Sequence, residues 1–197
     1  NTKTREKKNI MYHYALGNDF YKIWLDKTMT YSSALFKKET DNLSKAQENK
    51  YQLLIDQLDI QKHHKILEIG CGWGGFAEYA AKTIGCEIRG ITISPSQLKF
   101  AKSRIEKQGL SNKVSLELCD YRDLEGKYDR VVSIEMIEAV GEKYWIDYFK
   151  KIKEVLTKDG MAGIQVILIN NKSFERYSKS VDFIQRYVFP GGMLPSQ

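Results

Sequence analysis

The sequence predicts an α/β fold in which a parallel sheet carries helices on both of its faces. From residue 65 onward, short apolar runs alternate with amphipathic stretches, beginning with KILEIG, GGFAEYAAKTI and EIRGITIS. Such alternation is typical of parallel strands joined by helices. The length of 197 residues, of which 42% are hydrophobic, is enough for a domain with a substantial core. No apolar run approaches the roughly 18 to 20 residues that a membrane span requires.

Residues 1–60 are predicted to form a helical N-terminal cap, which precedes an α/β core over residues 61–197. Aromatic residues are spaced along MYHYALGNDFYKIWL in the first part of this cap. A longer helix is predicted over residues 43–58, where most apolar side chains recur at helical spacing and Ser44 is available near the N-cap. Between them, residues 28–36 (TMTYSSALF) are rich in Thr, Ser and Tyr and are predicted to be extended or a loop.

Five strands and three helices are predicted in the core. The apolar runs predict strands over residues 65–70, 87–94, 114–120, 130–137 and 161–169. The amphipathic stretches predict helices over residues 74–84, 95–109 and 142–156. Pro95 falls in the first turn of its helix, where its missing N–H removes no hydrogen bond. Gly160 is predicted to end the last of these helices, because glycine readily takes the left-handed conformation of a C-terminal cap.

The charge and the cysteines indicate the surroundings in which such a protein works. The net charge is +6, and residues 1–50 hold ten Lys and Arg against six Asp and Glu. A basic flank of this kind is consistent with an anionic partner such as nucleic acid or a phospholipid surface, and equally with a solvated flank that keeps the chain soluble. Cys71, Cys86 and Cys119 each lie in or beside an apolar run. Three cysteines without paired spacing favour a reduced, cytoplasmic protein.

A glycine-rich loop, Gly70-Cys71-Gly72-Trp73-Gly74-Gly75, follows the first predicted strand. Glycines there let the backbone turn tightly and approach a ligand, and the next helix begins with exposed N–H donors. A P-loop would end in Gly-Lys followed by Ser or Thr, which this loop does not. A dinucleotide site would place an acid at the end of the second strand, which here reads Thr92-Ile93-Ser94. Both of these nucleotide-binding classes are therefore disfavoured.

The remaining pattern is Glu68-x-Gly70-x-Gly72-x-Gly74, an acid two residues before three alternate glycines. This pattern resembles motif I of class I S-adenosylmethionine (SAM) methyltransferases. The resemblance implies a Rossmann-like parallel sheet with flanking helices. In those enzymes an acid after the third strand commonly contacts the adenine amino group, and Asp120 matches that position.

Four further segments narrow the resemblance: HYALGNDFYKIWLDKTMTYSSALF, EIGCGWGGFAEYAA, SIEMIEAVG and FIQRYVFPGGMLPS. Together they resemble the cyclopropane fatty acid synthases and mycolic acid cyclopropane synthases over essentially the whole chain. The resemblance implies transfer of a methyl group from SAM to the cis double bond of an unsaturated phospholipid acyl chain. Loss of a proton from the resulting cation then closes a cyclopropane ring.

The resemblance also implies a cytoplasmic enzyme, peripheral to the inner face of the membrane, without a nucleic-acid partner. It leaves a homodimer open. Members of the family continue beyond the FPGG-LPS segment, so the last strands of the sheet are expected to be missing from a chain that stops at residue 197.

In the family a bicarbonate ion serves as the base, held by a glutamate after the fourth strand and by neighbouring groups. Glu138 matches that glutamate, while Glu135 lies closer to the sheet end and could face the cofactor. Ser33 stands where many members have Cys, and its backbone can serve the anion either way. Gln165 stands where many have His; it can still donate a hydrogen bond but cannot be protonated, which alters the charge balance.

A carbocation must be shielded from water, and aromatic faces can stabilise it. The aromatic side chains of the cap are candidates for this lining: Tyr12, Tyr14, Phe20, Tyr21, Trp24, Tyr31 and Phe36. Tyr14 and Tyr31 are preferred, because they lie inside the matching motifs.

The cofactor contacts carry over by position. Tyr31 and Ser32 are expected at the methionine end of SAM, and Asp120 and Tyr121 at the adenine. The remaining expected contacts come from the acid and loop of motif I and from the end of the second strand: Glu68, Gly70, Cys71, Gly72, Trp73, Gly74, Thr92, Ile93, Ser94 and Gln97. No metal site is expected, because His13, His63 and His64 lack metal-ligand spacing.

Two other functions remain open on the sequence alone. One is a small-molecule amine N-methyltransferase of the same fold, for which the Gln165 departure leaves room. The other is a non-catalytic relative that binds SAM or lipid. A nucleic-acid methyltransferase is suggested only by the positive charge.

Overall fold

The computed structural model describes residues 17–197, which contain one five-stranded parallel sheet. The strand order is β3-β2-β1-β4-β5, and each neighbouring pair is parallel. The strands are β1 (Lys65–Ile69), β2 (Glu87–Thr92), β3 (Val114–Leu118), β4 (Tyr128–Ile134) and β5 (Leu156–Gln165). The five predicted strands and their order along the chain are confirmed. Because the order reverses between β1 and β4, the crevice at the carboxyl ends of these two strands is where such a sheet binds a ligand.

Six α-helices accompany the sheet in the described part of the chain. They are α1 (Gly17–Trp24), α2 (Leu43–Gln57), α3 (Gly75–Thr83), α4 (Pro95–Lys107), α5 (Trp145–Val155) and α6 (Asn171–Ser178). Residues 28–36 contain no regular element, as predicted. Pro95 begins α4, also as predicted.

Asn42 is the N-cap of α2, since its side-chain oxygen accepts a hydrogen bond from the Lys45 backbone N–H. Ser44 lies near this cap, as predicted, in the first turn of the helix. Its hydroxyl donates to Asp26, at 2.6 Å, which joins the start of α2 to the chain before it.

The predicted role of Gly160 as a helix end is wrong. Helix α5 ends at Val155, and β5 begins at the next residue. The register with β4 shifts between the pairs Tyr128–Leu156 and Arg130–Met161, so Gly160 lies in an irregular part of the strand. A Cβ at this position would come within 2.9 Å of the Leu156 side chain. Close packing inside the bulge, rather than a helix cap, accounts for the glycine.

The core lies on both faces of the sheet. On one face, Ile66 and Val132 pack in a cluster with Tyr51 of α2 and Phe76 of α3. On the other face, Leu67 and Val131 belong to a cluster that includes Tyr148 and Ile152 of α5. Four of the five residues of β1 are buried as a result. With both faces covered, the strand ends are the part of the sheet that remains accessible to a ligand.

Helix α1 packs directly on the glycine-rich loop. Tyr21 is 1% exposed and clusters with Met29 and Trp73. The Trp73 indole N–H donates a 2.7 Å hydrogen bond to the Asn18 side-chain oxygen. The beginning of the described chain is thereby attached to the loop after β1. Among residues 17–197, no helix combines the length and the apolar character that crossing a bilayer requires.

Candidate functional site

A cavity of about 680 Å³ lies at the carboxyl ends of the central strands. Its floor is the glycine-rich loop after β1, and it extends past the ends of β2, β3 and β4. Its walls include residues 29–33 from the N-terminal part of the chain and residues 189–194 from the C-terminal part. The cavity therefore occupies the place at which a ligand was expected.

The glycine-rich loop is shaped so that its backbone faces the cavity. Gly70 has a φ of +84°, and a Cβ there would lie 2.9 Å from Cγ of Met136. At Gly75, the first residue of α3, a Cβ would lie 2.6 Å from the Tyr51 hydroxyl. The N–H of Cys71 donates to the Ile91 carbonyl, which anchors the loop to β2. Side chains are thus kept out of a path that brings backbone N–H groups and the start of a helix towards a ligand.

Two polar side chains of α2 contact Ser32, one of the residues that line the cavity. Gln47 donates its amide to the Ser32 carbonyl at 2.8 Å, and the Lys50 ammonium donates to the Ser32 hydroxyl at 2.5 Å. Burial raises the pKa of Glu68 to about 8 and lowers the pKa of Lys50 to about 8. Oε1 of Gln47 and Oε2 of Glu68 are buried and have no hydrogen-bond partner within residues 17–197.

These two acceptors fit the methionine end of SAM, because an ammonium group offers the N–H donors that they lack. Gln47 and Glu68 both line the cavity. Glu68 was predicted, whereas Gln47 and Lys50 were not identified as site residues. The sequence did contain a signal for Gln47 and Lys50, because both are polar residues at positions of α2 that are buried together with Ala46 and Leu54.

The other end of the cavity contains the residues predicted for ribose and adenine. Thr92, Ile93, Gln97, Asp120 and Tyr121 all line it. The Asp120 carboxylate accepts hydrogen bonds from Nε and Nη2 of the Arg122 guanidinium, at 2.8 and 2.7 Å. This pairing holds the carboxylate beside Tyr121 at the end of β3.

Two predicted contacts do not line the cavity. The Ser94 hydroxyl accepts from the Gln97 N–H and caps α4. At Gly74, a Cβ would lie 3.2 Å from Cβ of Ala101, so this glycine packs against α4. Both residues shape the site without facing it, whereas the other predicted loop residues, Gly70, Cys71, Gly72 and Trp73, line it together with Tyr31 and Ser32.

Three residues that are distant in sequence meet at the end of β4. Oε1 of Glu135 accepts from the Ser33 backbone N–H at 2.9 Å and from the Ser33 hydroxyl at 2.6 Å. The same oxygen accepts from the Gln165 amide at 2.8 Å, and that amide also donates to the Ser33 hydroxyl at 2.9 Å. Ser33 and Glu135 line the cavity, while Gln165 lies behind them on β5.

Glu138 lies beside this cluster rather than in it. One of its carboxylate oxygens accepts from the Ile167 backbone N–H at 2.7 Å. The other is buried and has no hydrogen-bond partner in the described chain. Burial raises the pKa of Glu138; the Ile167 hydrogen bond opposes this change, and the charge of Glu135 adds to it. The Glu138 carbonyl accepts from the Met193 N–H, which holds the C-terminal segment against the site.

The predicted bicarbonate site is therefore only partly assembled. Ser33 and Gln165 do come together, but their donors already bind the Glu135 carboxylate. Glu138 uses one oxygen on Ile167. As they stand, these residues do not fit a separate bicarbonate ion. Tyr14, the fourth predicted catalytic residue, lies outside the described residues, as does Tyr12.

Aromatic rings form one wall of the cavity. The Tyr31 ring contacts the Trp24 ring edge-on at 5.1 Å between centroids and stacks on Phe189 at 5.9 Å. All three residues line the cavity. Of the other candidates, Tyr21 is buried under this wall against Trp73, at 5.0 Å, and Phe20 and Phe36 are largely exposed and do not line the cavity.

Residues 17–197 contain neither a reactive thiol at the site nor a cluster of side chains that could bind a metal ion. Burial raises the pKa of the Cys71 thiol well above its usual range, so the thiol remains protonated and unreactive. No three His, Cys, Asp or Glu side chains within residues 17–197 are grouped so that they could hold a metal ion.

Comparison with known proteins agrees with this geometry. The family model for mycolic acid cyclopropane synthetase matches residues 1–197. The tuberculostearic acid methyltransferase UfaA1 of Mycobacterium tuberculosis is 39% identical over 205 residues, covering 99% of this chain and 47% of the relative. The cyclopropane-fatty-acyl-phospholipid synthase of Escherichia coli K12 is 40% identical over 185 residues, covering 93% of this chain and 46% of the relative. The chain spans about half the length of these relatives.

A solved structure of mycolic acid cyclopropane synthase CmaA1 complexed with SAH and CTAB superposes with a TM-score of 0.89. It is 28% identical, and the match covers 96% of this chain and 70% of that one. The Rossmann-like methyltransferase fold is therefore confirmed, and SAH, the demethylated form of SAM, is the molecule that the similar structure holds. On its sequence, its fold and its glycine-loop cavity, the chain belongs to the mycolic acid cyclopropane synthetase family of SAM-dependent methyltransferases.

Proposed function

We propose that the complete gene product transfers a methyl(ene) group from SAM to the cis double bond of unsaturated phospholipid acyl chains, forming cyclopropane fatty acids. The observation that carries this proposal is a single cavity in which the glycine-rich loop, an aromatic wall and a pair of glutamates face the same space. Relatives named as a fatty-acyl-phospholipid synthase and a fatty acid methyltransferase support an acyl-chain substrate.

The residues of the floor and of the strand ends would hold SAM. Gln47 and Glu68 would receive the ammonium group, and Thr92, Gln97 and Asp120 would lie along the nucleoside. When bound, SAM supplies an electrophilic methyl group on a sulfonium. The chain's own contribution is to hold this group in place and to keep the path between floor and wall free of side chains.

The aromatic wall suits an alkene as the acceptor of the methyl group. An alkene is a weak nucleophile, so it must be held close to the methyl group and in line with it. Positive charge on the acyl chain must also be protected from water. The rings of Trp24, Tyr31 and Phe189 exclude water from one side of the cavity, and their faces attract a cation.

Exposed apolar side chains on two elements form an apolar rim near the cavity. Ile23 is 80% exposed and Trp24 44% exposed on α1. The C-terminal part of the rim consists of Val181, Phe183, Ile184 and Tyr187, all at least half exposed. Trp24 and Ile184 also line the cavity. Together with the basic residues 1–50, this rim supports peripheral attachment to an anionic phospholipid surface at the inner face of the membrane.

The experiment incubates the complete gene product with SAM and vesicles of monounsaturated phospholipid. Mass spectrometry is expected to find acyl chains one methylene heavier that resist catalytic hydrogenation. Vesicles of saturated phospholipid are the control and should remain unchanged. A product that takes up hydrogen would be a methyl-branched or methylenated chain rather than a ring. Binding of SAH without any change in the lipids, together with methylation of small amines, would refute the proposal.

A further inference from the structure

We propose that the carboxylate of Glu135 is the built-in anion of this site and accepts the proton that the resemblance assigns to bicarbonate. The inference rests on the proposed function, since it names the base for that reaction. It departs from the sequence-based assignment, in which Glu138, Ser33 and Gln165 hold a separate ion.

The hydrogen bonds of Glu135 are those of an anion in a prepared site. Three donors converge on one carboxylate oxygen at 2.6 to 2.9 Å: two from Ser33 and one from Gln165. These are the groups expected to hold the bicarbonate, and they stabilise negative charge. Oε2 of Glu135 has no hydrogen bond among residues 17–197. Glu135 also lines the cavity, so its carboxylate lies beside the space proposed for the substrate.

The backbone at Glu135 is held in a conformation that glycine adopts more readily. Its φ is +48°, in the left-handed region, where a residue with a side chain is strained. The Glu135 N–H donates to the Gln165 carbonyl at 2.9 Å, which fixes the backbone next to the amide that binds its side chain. A side chain at so strained a position is more readily explained by a function than by packing.

Glu138 is less suited to this role. One of its oxygens is bound to Ile167, and the other is buried without a donor in the described chain. Burial and the neighbouring charge of Glu135 both favour its protonated form. The donors that stabilise a negative charge converge on Glu135 and not on Glu138.

The proposed reaction needs no reactant other than SAM, the unsaturated acyl chain, Glu135 and water. The π electron pair of the acyl double bond forms a C–C bond to the methyl carbon, and the bond from that carbon to sulfur breaks with its electron pair left on sulfur. The acyl chain then carries one positive charge. A C–H bond of the new methyl group breaks, and its electron pair closes the three-membered ring. The proton passes to Glu135 and later to water.

The test compares the complete gene product with two variants, in carbon-dioxide-free buffer and in the same buffer with sodium bicarbonate. Wild-type turnover is expected to be equal in both buffers. Glu135→Gln should lose about 100-fold or more of its kcat in both, because the amide cannot accept the proton. Glu135→Gly frees the three donors and suits the positive φ, so it should be inactive alone and regain turnover with bicarbonate.

A binding measurement accompanies the kinetics. NMR line broadening of isotopically labelled bicarbonate should show saturable binding to Glu135→Gly and none to the wild type, and SAH binding shows that each variant is folded. Glu142→Gln, which changes an exposed glutamate outside the cavity, is the matched control and should behave as wild type. Glu138→Gln should not become bicarbonate-dependent.

Two results would overturn the assignment: a wild type that requires bicarbonate, or a Glu135→Gln variant with unreduced turnover. If the wild type does not act on lipids at all, the proposed function fails. The binding measurement still decides the present inference in that case, because bicarbonate binding by the wild type as strong as by Glu135→Gly contradicts a resident Glu135 anion.

Discussion

Glu68 is a buried carboxyl group that lines the cavity and is 4% exposed. Its protonation affects the free energy of unfolding of the whole fold. Burial raises its pKa from 4.5 to about 8. An unfolded chain releases this proton near pH 4.5, whereas the folded chain keeps it up to about pH 8. The folded state therefore binds more protons in this window, and the free energy of unfolding falls as the pH rises through it.

The Glu68→Gln variant tests this relation. Glutamine has no proton to lose, so the free energy of unfolding should depend less on pH between about 4.5 and 8 than in the wild type. The difference in slope is at most about 1.4 kcal/mol per pH unit, the effect of one proton. Glu138, whose pKa is also raised, retains part of the dependence. Urea unfolding across this window measures both proteins, and identical slopes would contradict the account.

Replacing Asp120 is expected to weaken cofactor binding without removing a group that takes part in the chemical step. Asp120→Asn should weaken SAH binding by roughly 10-fold or more, because a hydrogen bond to a charged group is worth about 1.5 to 3 kcal/mol. Isothermal titration with SAH measures the loss. Asp123→Asn is the matched control, since Asp123 lies in the short helical turn that Asp120 caps and does not line the cavity. Equal affinities for wild type and Asp120→Asn would remove Asp120 from the nucleoside contacts.

The C-terminal residues 189–194 contribute to the wall of the cavity, and none of them is buried in the core. Phe189 stacks on Tyr31, yet it is 36% exposed, so its loss should cost the fold little. Phe189→Ala should raise the KM for phospholipid several-fold while leaving SAH affinity unchanged, because the aromatic wall lies away from the nucleoside end. Phe149→Ala, an exposed ring on α5 outside the cavity, is the control. A parallel loss of SAH binding would instead indicate a collapsed cavity.

Helix α1 is expected to carry much of the membrane contact of the apolar rim. Ile23 is 80% exposed, so Ile23→Asp should leave the unfolding free energy nearly unchanged. The same change should lower the fraction of protein that sediments with anionic vesicles, because a carboxylate would have to enter the lipid interface. Ile146→Asp, at a site on α5 that is 69% exposed, should sediment as wild type. Equal losses in both variants would show that charge alone, not α1, determines attachment.

The elements themselves were largely predictable from the sequence, because strand and helix periodicity are local properties. The strand and helix order of the core followed from the alternating pattern, and Pro95 marked the start of α4. The error at Gly160 occurred where a distant partner decides the outcome. This glycine serves the pairing of β5 with β4 instead of ending α5.

The site was predictable to a lesser extent. The glycine-loop and acid spacing identified residues that line the cavity, since these lie within single segments. Their contacts with SAM stay a prediction. Gln47 and Lys50 were missed, because polar residues on the buried face of a helix do not stand out in the sequence pattern as site residues. The Ser33–Glu135–Gln165 cluster joins positions 102 and 132 residues apart, so its bonding emerged only from the fold.

The order of the strands brings the predicted cofactor residues together near the point between β1 and β4 where the strand order reverses. The carboxyl ends of β1 and β4 adjoin there, and β2 and β3 extend the cavity to one side. The match to relatives covers about half of their length, so measurements of turnover and membrane attachment are designed for the complete gene product.

The stacking of Tyr31 on Phe189 joins two segments that are synthesised at very different times. The last strand of the described sheet ends at residue 165, whereas the cavity wall needs residues 189–194. Contacts between such distant positions form late, because closing the intervening chain is entropically costly. A ribosome-bound chain that has released only its sheet therefore has the folded core without the enclosing wall. The aromatic wall of the cavity is therefore expected to form after the sheet that carries its glycine-rich loop.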